Sequence, residues 1–176
     1  MKERIPKSYF QSNDAVFIAE NLIGKTLIRQ FENGEIIRSK ITETEAYVGP
    51  EDLACHASKG KTKRTSIMFE KGGLVYVYLI YGMYWMLNFV TGKEDEPQAV
   101  LIRGIEGCSG PGRIGKLLQL DQSFYGEDLE TSKRIWLEAS EIEGEVITTP
   151  RIGIDYAGEF WKNKPWRFVL QDFEGK

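Results

Sequence analysis

Glu43 and Glu45 stand two residues apart in the run from Ile41 to His56, Ile-Thr-Glu-Thr-Glu-Ala-Tyr-Val-Gly-Pro-Glu-Asp-Leu-Ala-Cys-His. If the run is a strand, alternation puts Ile37, Ile41, Glu43, Glu45 and Tyr47 on one side and Arg38, Lys40, Thr42 and Thr44 on a solvent side. A carboxyl group among apolar neighbours has a raised pKa unless it is paired, and such groups serve as general bases. The same glutamates could instead sit on an exposed edge or pair with lysines. Other chemistries lack their parts. The single histidine, His56, has Cys55 beside it but no spaced set of metal ligands. There is no Gly-x-Ser-x-Gly elbow, phosphate-binding loop or dinucleotide fingerprint. A sugar-cleaving carboxylate pair needs its second acid across a cleft, and Glu43 shares a strand with Glu45.

The elements that position these residues follow from turn and cap signals. Ser12-Asn13-Asp14 opens a helix through Ile23, with Ser12 as cap and Gly24 as stop. Asn33-Gly34 is a hairpin turn between strands at 25–32 and 35–47. Residues 50–70 form a loop carrying Lys59, Lys61, Lys63 and Arg64 with no acid among them, a short run able to hold phosphates or simply to face solvent. Gly72 to Gly92 contains no charged residue. A membrane span is rejected there, because Tyr76, Tyr78, Tyr81 and Tyr84 lie mid-run and Asn88 would be buried in lipid. The composition predicts strands 74–81 and 84–90 around a type II′ turn at Gly82, with apolar Tyr81 and Met83 at the tip. A strand at 98–105 ends near Arg103. Gly110-Pro111-Gly112-Arg113 leads into a helix at 114–120, whose start and Arg113 could hold a phosphate. Short strands follow near 135–138, 145–148 and 166–171.

The 176 residues are 41% hydrophobic and 28% charged, which suits one domain spanning 1–176. Two cysteines give no disulfide framework, and the N-terminus has no apolar run like a signal peptide; a cytoplasmic protein is expected. A net charge of −3 argues weakly against a nucleic-acid partner. Strands outnumber helices, and the connections are too short for parallel crossovers. The expected class is α+β: a curved antiparallel sheet, partly barrel-like, with peripheral helices. An acid, a basic loop, an arginine and an aromatic-rich hairpin suit an enzyme that draws a nucleobase from a duplex and acts on its sugar bond.

Glu43 to Asp52 with His56, then Tyr76-Val77-Tyr78-Leu79-Ile80-Tyr81-Gly82-Met83-Tyr84 with Asn88, resemble the alkyladenine (3-methyladenine) DNA glycosylase family. Ala99 to Arg103, Gly110 to Arg113, Pro150 to Gly153 and Lys164 to Phe168 follow in that family's order, so the resemblance runs from about residue 8 to 170. It implies a monofunctional enzyme, without cofactor or metal, that flips alkylated or deaminated purines out of double-stranded DNA and hydrolyses the N-glycosidic bond. It implies Glu45 as the acid that activates water, with Arg103 holding that water and a phosphate and the Ile152 backbone carbonyl helping. Tyr47 and Tyr78 would sandwich the base, His56 would contact its edge, and Asn88 would disfavour the amine of guanine. Tyr81, with Met83 beside it, would fill the hole left in the duplex, while Lys63, Arg64 and Arg113 would contact phosphates. A monomer is expected, nucleoid-associated if the source is bacterial. Relatives usually carry Thr-Pro-Arg-Asn before Met-Phe; here Thr62 to Phe69 keeps the arginine but lacks the proline and asparagine. The reading from another class is a non-catalytic damaged-DNA or RNA binder using the same aromatic pocket.

Overall fold

The structure, a computed structural model, describes residues 2–12 and 14–171. In chain order the elements are α1 (Lys7–Gln11), α2 (Ala15–Asn21), β1 (Thr26–Gln30), β2 (Ile36–Val48), β3 (Val75–Ile80), β4 (Tyr84–Thr91) and β5 (Gln98–Ile105). There follow β6 (Cys108–Ser109), α3 (Pro111–Leu117), β7 (Ile135–Glu138), β8 (Glu145–Thr149), α4 (Glu159–Lys162) and β9 (Arg167–Gln171). All the strands join one antiparallel sheet with the path β3-β4-β5-β2-β1-β7, flanked by β6 on β5 and by β8 and β9 beside β2. The sheet is not closed, and with its helices it is an α+β architecture, as the short connections require.

Alternation along the strands sorts the two faces. Ala46, Val75, Val77, Leu87, Phe89, Val100 and Ile102 point to the main core, where Phe10, Ile18, Leu22 and Ile114 of the helical segments meet them. Their neighbours in sequence point the other way. Glu45 and Tyr47, Tyr76 and Tyr78, Met86 and Asn88, and Leu101 and Arg103 thus come from four adjacent strands onto one face.

Three local expectations are corrected. Ser12 does not cap α2. It lies in a helical conformation at the end of α1, and extended Asp14 accepts the Phe17 amide at 2.9 Å, because a cap must leave the helix just before its first turn. Thr44 does not face solvent. A register shift between Ile41 and Thr44 re-phases β2, so Ile41, Thr44 and Ala46 are all buried, and Thr44 Oγ1 donates to the Ala19 carbonyl at 2.7 Å. Gly104 sits opposite this bulge, where a Cβ would come within 2.8 Å of Thr42 Oγ1 and 2.9 Å of Glu43 Cβ. Finally, the β3–β4 turn centres on Tyr81 and Gly82, with φ of 50° and 64°, and Met83 N donates to the Ile80 carbonyl at 3.1 Å. Positive φ at both central residues is the type I′ pattern rather than II′. The charge-free run is therefore a hairpin. Among the described residues, no helix is long and apolar enough to cross a membrane.

Candidate active site

A cavity of about 320 Å³ opens on the sheet face away from the main core. Tyr47, Tyr78 and His56 wall it, Asn88, Leu101 and Arg103 contribute from the sheet, and Ile152 and Tyr156 close one side. Its strands supply rigid positions, and the loop after β2 folds back to bring in His56 within a short 3-10 turn, His56–Lys59.

Glu45 has no solvent exposure and does not itself line this cavity, but three residues that do are hydrogen-bonded to or paired with it. The Tyr47 hydroxyl donates to its Oε2 at 2.7 Å, the Ile152 amide donates to Oε1 at 2.8 Å, and Arg103 Nε stands 3.5 Å from Oε1. Burial raises the Glu45 pKa above the ordinary carboxylate value, while Arg103, the Tyr47 hydroxyl, the Ile152 amide and Arg151 pull it down. Burial and the adjacent carboxylate together hold the Tyr47 phenol protonated, so it remains a donor. A carboxylate held this way can take a proton from water, and the arginine beside it can hold an anion.

Arg103 is itself aimed. Its Nε donates to Glu43 Oε1 at 3.0 Å, and Arg167 Nε reaches the same oxygen at 2.6 Å. Glu43 is thus the brace between two arginines. The terminal nitrogens of Arg103 make no hydrogen bond to protein among the described residues, so they are available where the side chain meets the cavity.

A buried pair supports the acid from behind. Arg151 grips Asp52 through Nη1 at 2.6 Å and Nη2 at 3.0 Å, both side chains being fully buried. It also donates to the carbonyls of Ala46 and Trp161. Asp52 accepts the amides of Val48 and Ala54, pinning the loop that leaves β2. The guanidinium stacks 4.9 Å from the Tyr47 ring centre and 5.0 Å from that of Trp166. Because Ile152 follows Arg151, this anchor also fixes the amide that holds Glu45. Sequence reasoning assigned neither residue a role. Ninety-nine positions separate them, and the only local signal was a charge inside each of two motifs.

His56 and Tyr78 meet edge to face, 4.6 Å between centres, and His56 Nδ1 lies 2.9 Å from the Tyr76 hydroxyl. Burial, then Arg64 and Lys59, lower the His56 pKa to about 4, so the ring is neutral at pH 7. The Asn88 side-chain amide donates to the carbonyls of Tyr76 and Met86 at 3.2 and 3.4 Å, leaving its oxygen as its free polar atom. Arg64 lays its guanidinium 4.8 Å from the Tyr78 ring centre. The structure therefore brings together Glu45, Arg103, Tyr47, His56, Tyr78, Asn88 and Ile152. At the hairpin tip Tyr81, which reaches the cavity's lining, is 87% exposed, and Met83, which does not line the cavity, is 52% exposed. Lys63 and Arg113 are exposed and do not line the cavity. Burial pushes the Cys55 thiol up to about 12, which removes it as a nucleophile.

Residues 9–108 and 106–174 match the methylpurine-DNA glycosylase family. The chain belongs to that family. It is 40% identical to a protein of Natranaerobius thermophilus, over 96% of each chain. It is 42% identical to one of Borreliella burgdorferi, covering 93% of this chain and 95% of the relative. A Methanocella arvoryzae protein is 40% identical over 93% of this chain and 90% of its own length. All three carry a provisional designation as 3-methyladenine DNA glycosylases.

Proposed function

We propose that the protein is a monofunctional DNA repair glycosylase. It flips an alkylated or deaminated purine, such as 3-methyladenine or hypoxanthine, out of duplex DNA, hydrolyses the bond to the sugar and leaves an abasic site. The observation that carries this reading is a carboxylate with no solvent exposure, held by Tyr47, Ile152 and Arg103, all three of which line an aromatic cavity. The shared designation of the relatives supports it.

In this mechanism the base enters between Tyr47 and Tyr78, and stacking offsets part of the few kcal/mol that flipping costs. Tyr81 follows into the gap in the duplex. Glu45 in its ionised form, which Arg103 and its two hydrogen bonds favour against burial, orients water and takes its proton as the oxygen bonds to the anomeric carbon. That proton reaches Glu45 by displacing or passing through the Tyr47 hydroxyl, which occupies Oε2. The bond from sugar to base breaks with its electron pair leaving on the purine. The free nitrogens of Arg103 hold the backbone phosphate or the water nearby.

A pure binder of damaged bases would gain nothing from a buried acid whose ionised form burial disfavours. The separating experiment incubates the protein with a duplex bearing one hypoxanthine or one 3-methyladenine and looks for free base and an alkali-labile site. Release of base is expected. Tight binding with no release would establish the binder instead.

A further inference from the structure

Two walls of the cavity, Tyr47 and Tyr78, each have a guanidinium against the ring: Arg151 at 4.9 Å and Arg64 at 4.8 Å. Neither arginine lines the cavity that the rings line. Arg151 is buried, and Arg64 opens onto an adjoining recess beside Lys59. The cations thus lie behind the walls, and they are not equivalent. Asp52 cancels the charge of Arg151 in a two-pronged pair. Glu43 and Glu45 balance Arg103 and Arg167. Arg64 and Lys59 have no carboxylate partner among the described residues, and both are exposed. His56, between them and the cavity, adds no charge at pH 7. The Tyr78 side of the slot therefore keeps an uncompensated positive charge.

We infer that the slot grips neutral purine lesions in preference to cationic ones, and that Arg64 sets the preference; this rests on the cavity being a nucleobase site. A cation on one face of an aromatic ring draws the π density toward itself, so the opposite face attracts a second cation less. The two like charges also repel directly across the ring, less strongly as salt rises because Arg64 is exposed. The distinction matters chemically. A purine alkylated at a ring nitrogen carries a positive charge in its nucleotide, and its bond to the sugar is already weak. A deaminated purine such as hypoxanthine is neutral, leaves less readily and depends on being held. The residual charge directs the binding of the slot to the lesions that need it.

The test uses duplexes with one 2′-fluoroarabino nucleotide, which resists cleavage, bearing either hypoxanthine or 7-methyladenine, which has no N1 proton to lose and so stays cationic at neutral pH. Each is titrated with the full chain and with its Arg64→Met and Arg64→Lys variants. The unaltered protein should bind the hypoxanthine duplex more tightly. Arg64→Met should narrow that preference by about three- to tenfold, and Arg64→Lys, which keeps the charge, should retain it. Loss of a phosphate contact would weaken both duplexes alike and leave the ratio where it was. An unmoved ratio in Arg64→Met, in a chain that still releases hypoxanthine from an ordinary duplex, overturns the inference alone. Failure of the unaltered protein to release base from any damaged duplex overturns the glycosylase reading and the inference together.

Discussion

Burial drives the Glu45 pKa up, and Arg103, the Tyr47 hydroxyl, the Ile152 amide and Arg151 restrain it. The acid proposed as the base is thereby poised between being too dry to ionise and too well paired to accept a proton. The sign of the pH dependence follows. The ionised form is the base, so activity falls as pH drops through the folded-state pKa, and a raised pKa places that fall above the ordinary carboxylate range. Tyr47→Phe deletes a hydrogen bond that favours ionisation. Its single-turnover rate should therefore lose activity at a higher pH than that of the unaltered protein does. An acid limb that stays in place would uncouple the phenol from the carboxyl group.

At the level of elements, β2 carries the site because it changes phase within its own length. Alternation read off the sequence put Glu43, Glu45 and Tyr47 correctly on one face, though not Ile41, which joins the main core; the β1–β2 hairpin was visible too, with its turn at Phe31–Gly34, one residue earlier than expected, as were the strands around Gly82. The bulge was not visible, since Gly104 on another strand makes room for it; Thr44 consequently passed for a solvent residue. The Asp52–Arg151 pair was hidden for the same reason, its partners meeting only once the sheet has formed. Arg151→Met leaves Asp52 buried and unpaired, and breaking such a pair costs about 3–5 kcal/mol. Chemical denaturation should register that loss. Adding Asp52→Leu should recover stability, while turnover stays low because the Tyr47 ring and the Ile152 amide lose their support. The β3–β4 tip makes a separate claim. Tyr81→Ala should slow excision from duplex on the order of tenfold, within the few kcal/mol that flipping costs, and should affect single strands less. Equal loss on both substrates would contradict the wedge.

Across the whole molecule, a net charge of −3 suggested little affinity for nucleic acid. That sum hides its distribution. Lys59, Lys61, Lys63 and Arg64 are all exposed on the loop that walls the cavity, and the acids nearest the site are spent on arginines. Sequence motifs named the residues of the slot, but composition alone could not show a local field. The account rests on Glu45 as the base that activates water, and Glu45→Gln tests it most directly. The amide nearly preserves shape and burial while removing the proton acceptor. Single-turnover excision of hypoxanthine from a duplex should fall by at least about a hundredfold, the lower range for loss of a general base, with the affinity for that duplex unchanged. Excision continuing at the unaltered rate would contradict the account.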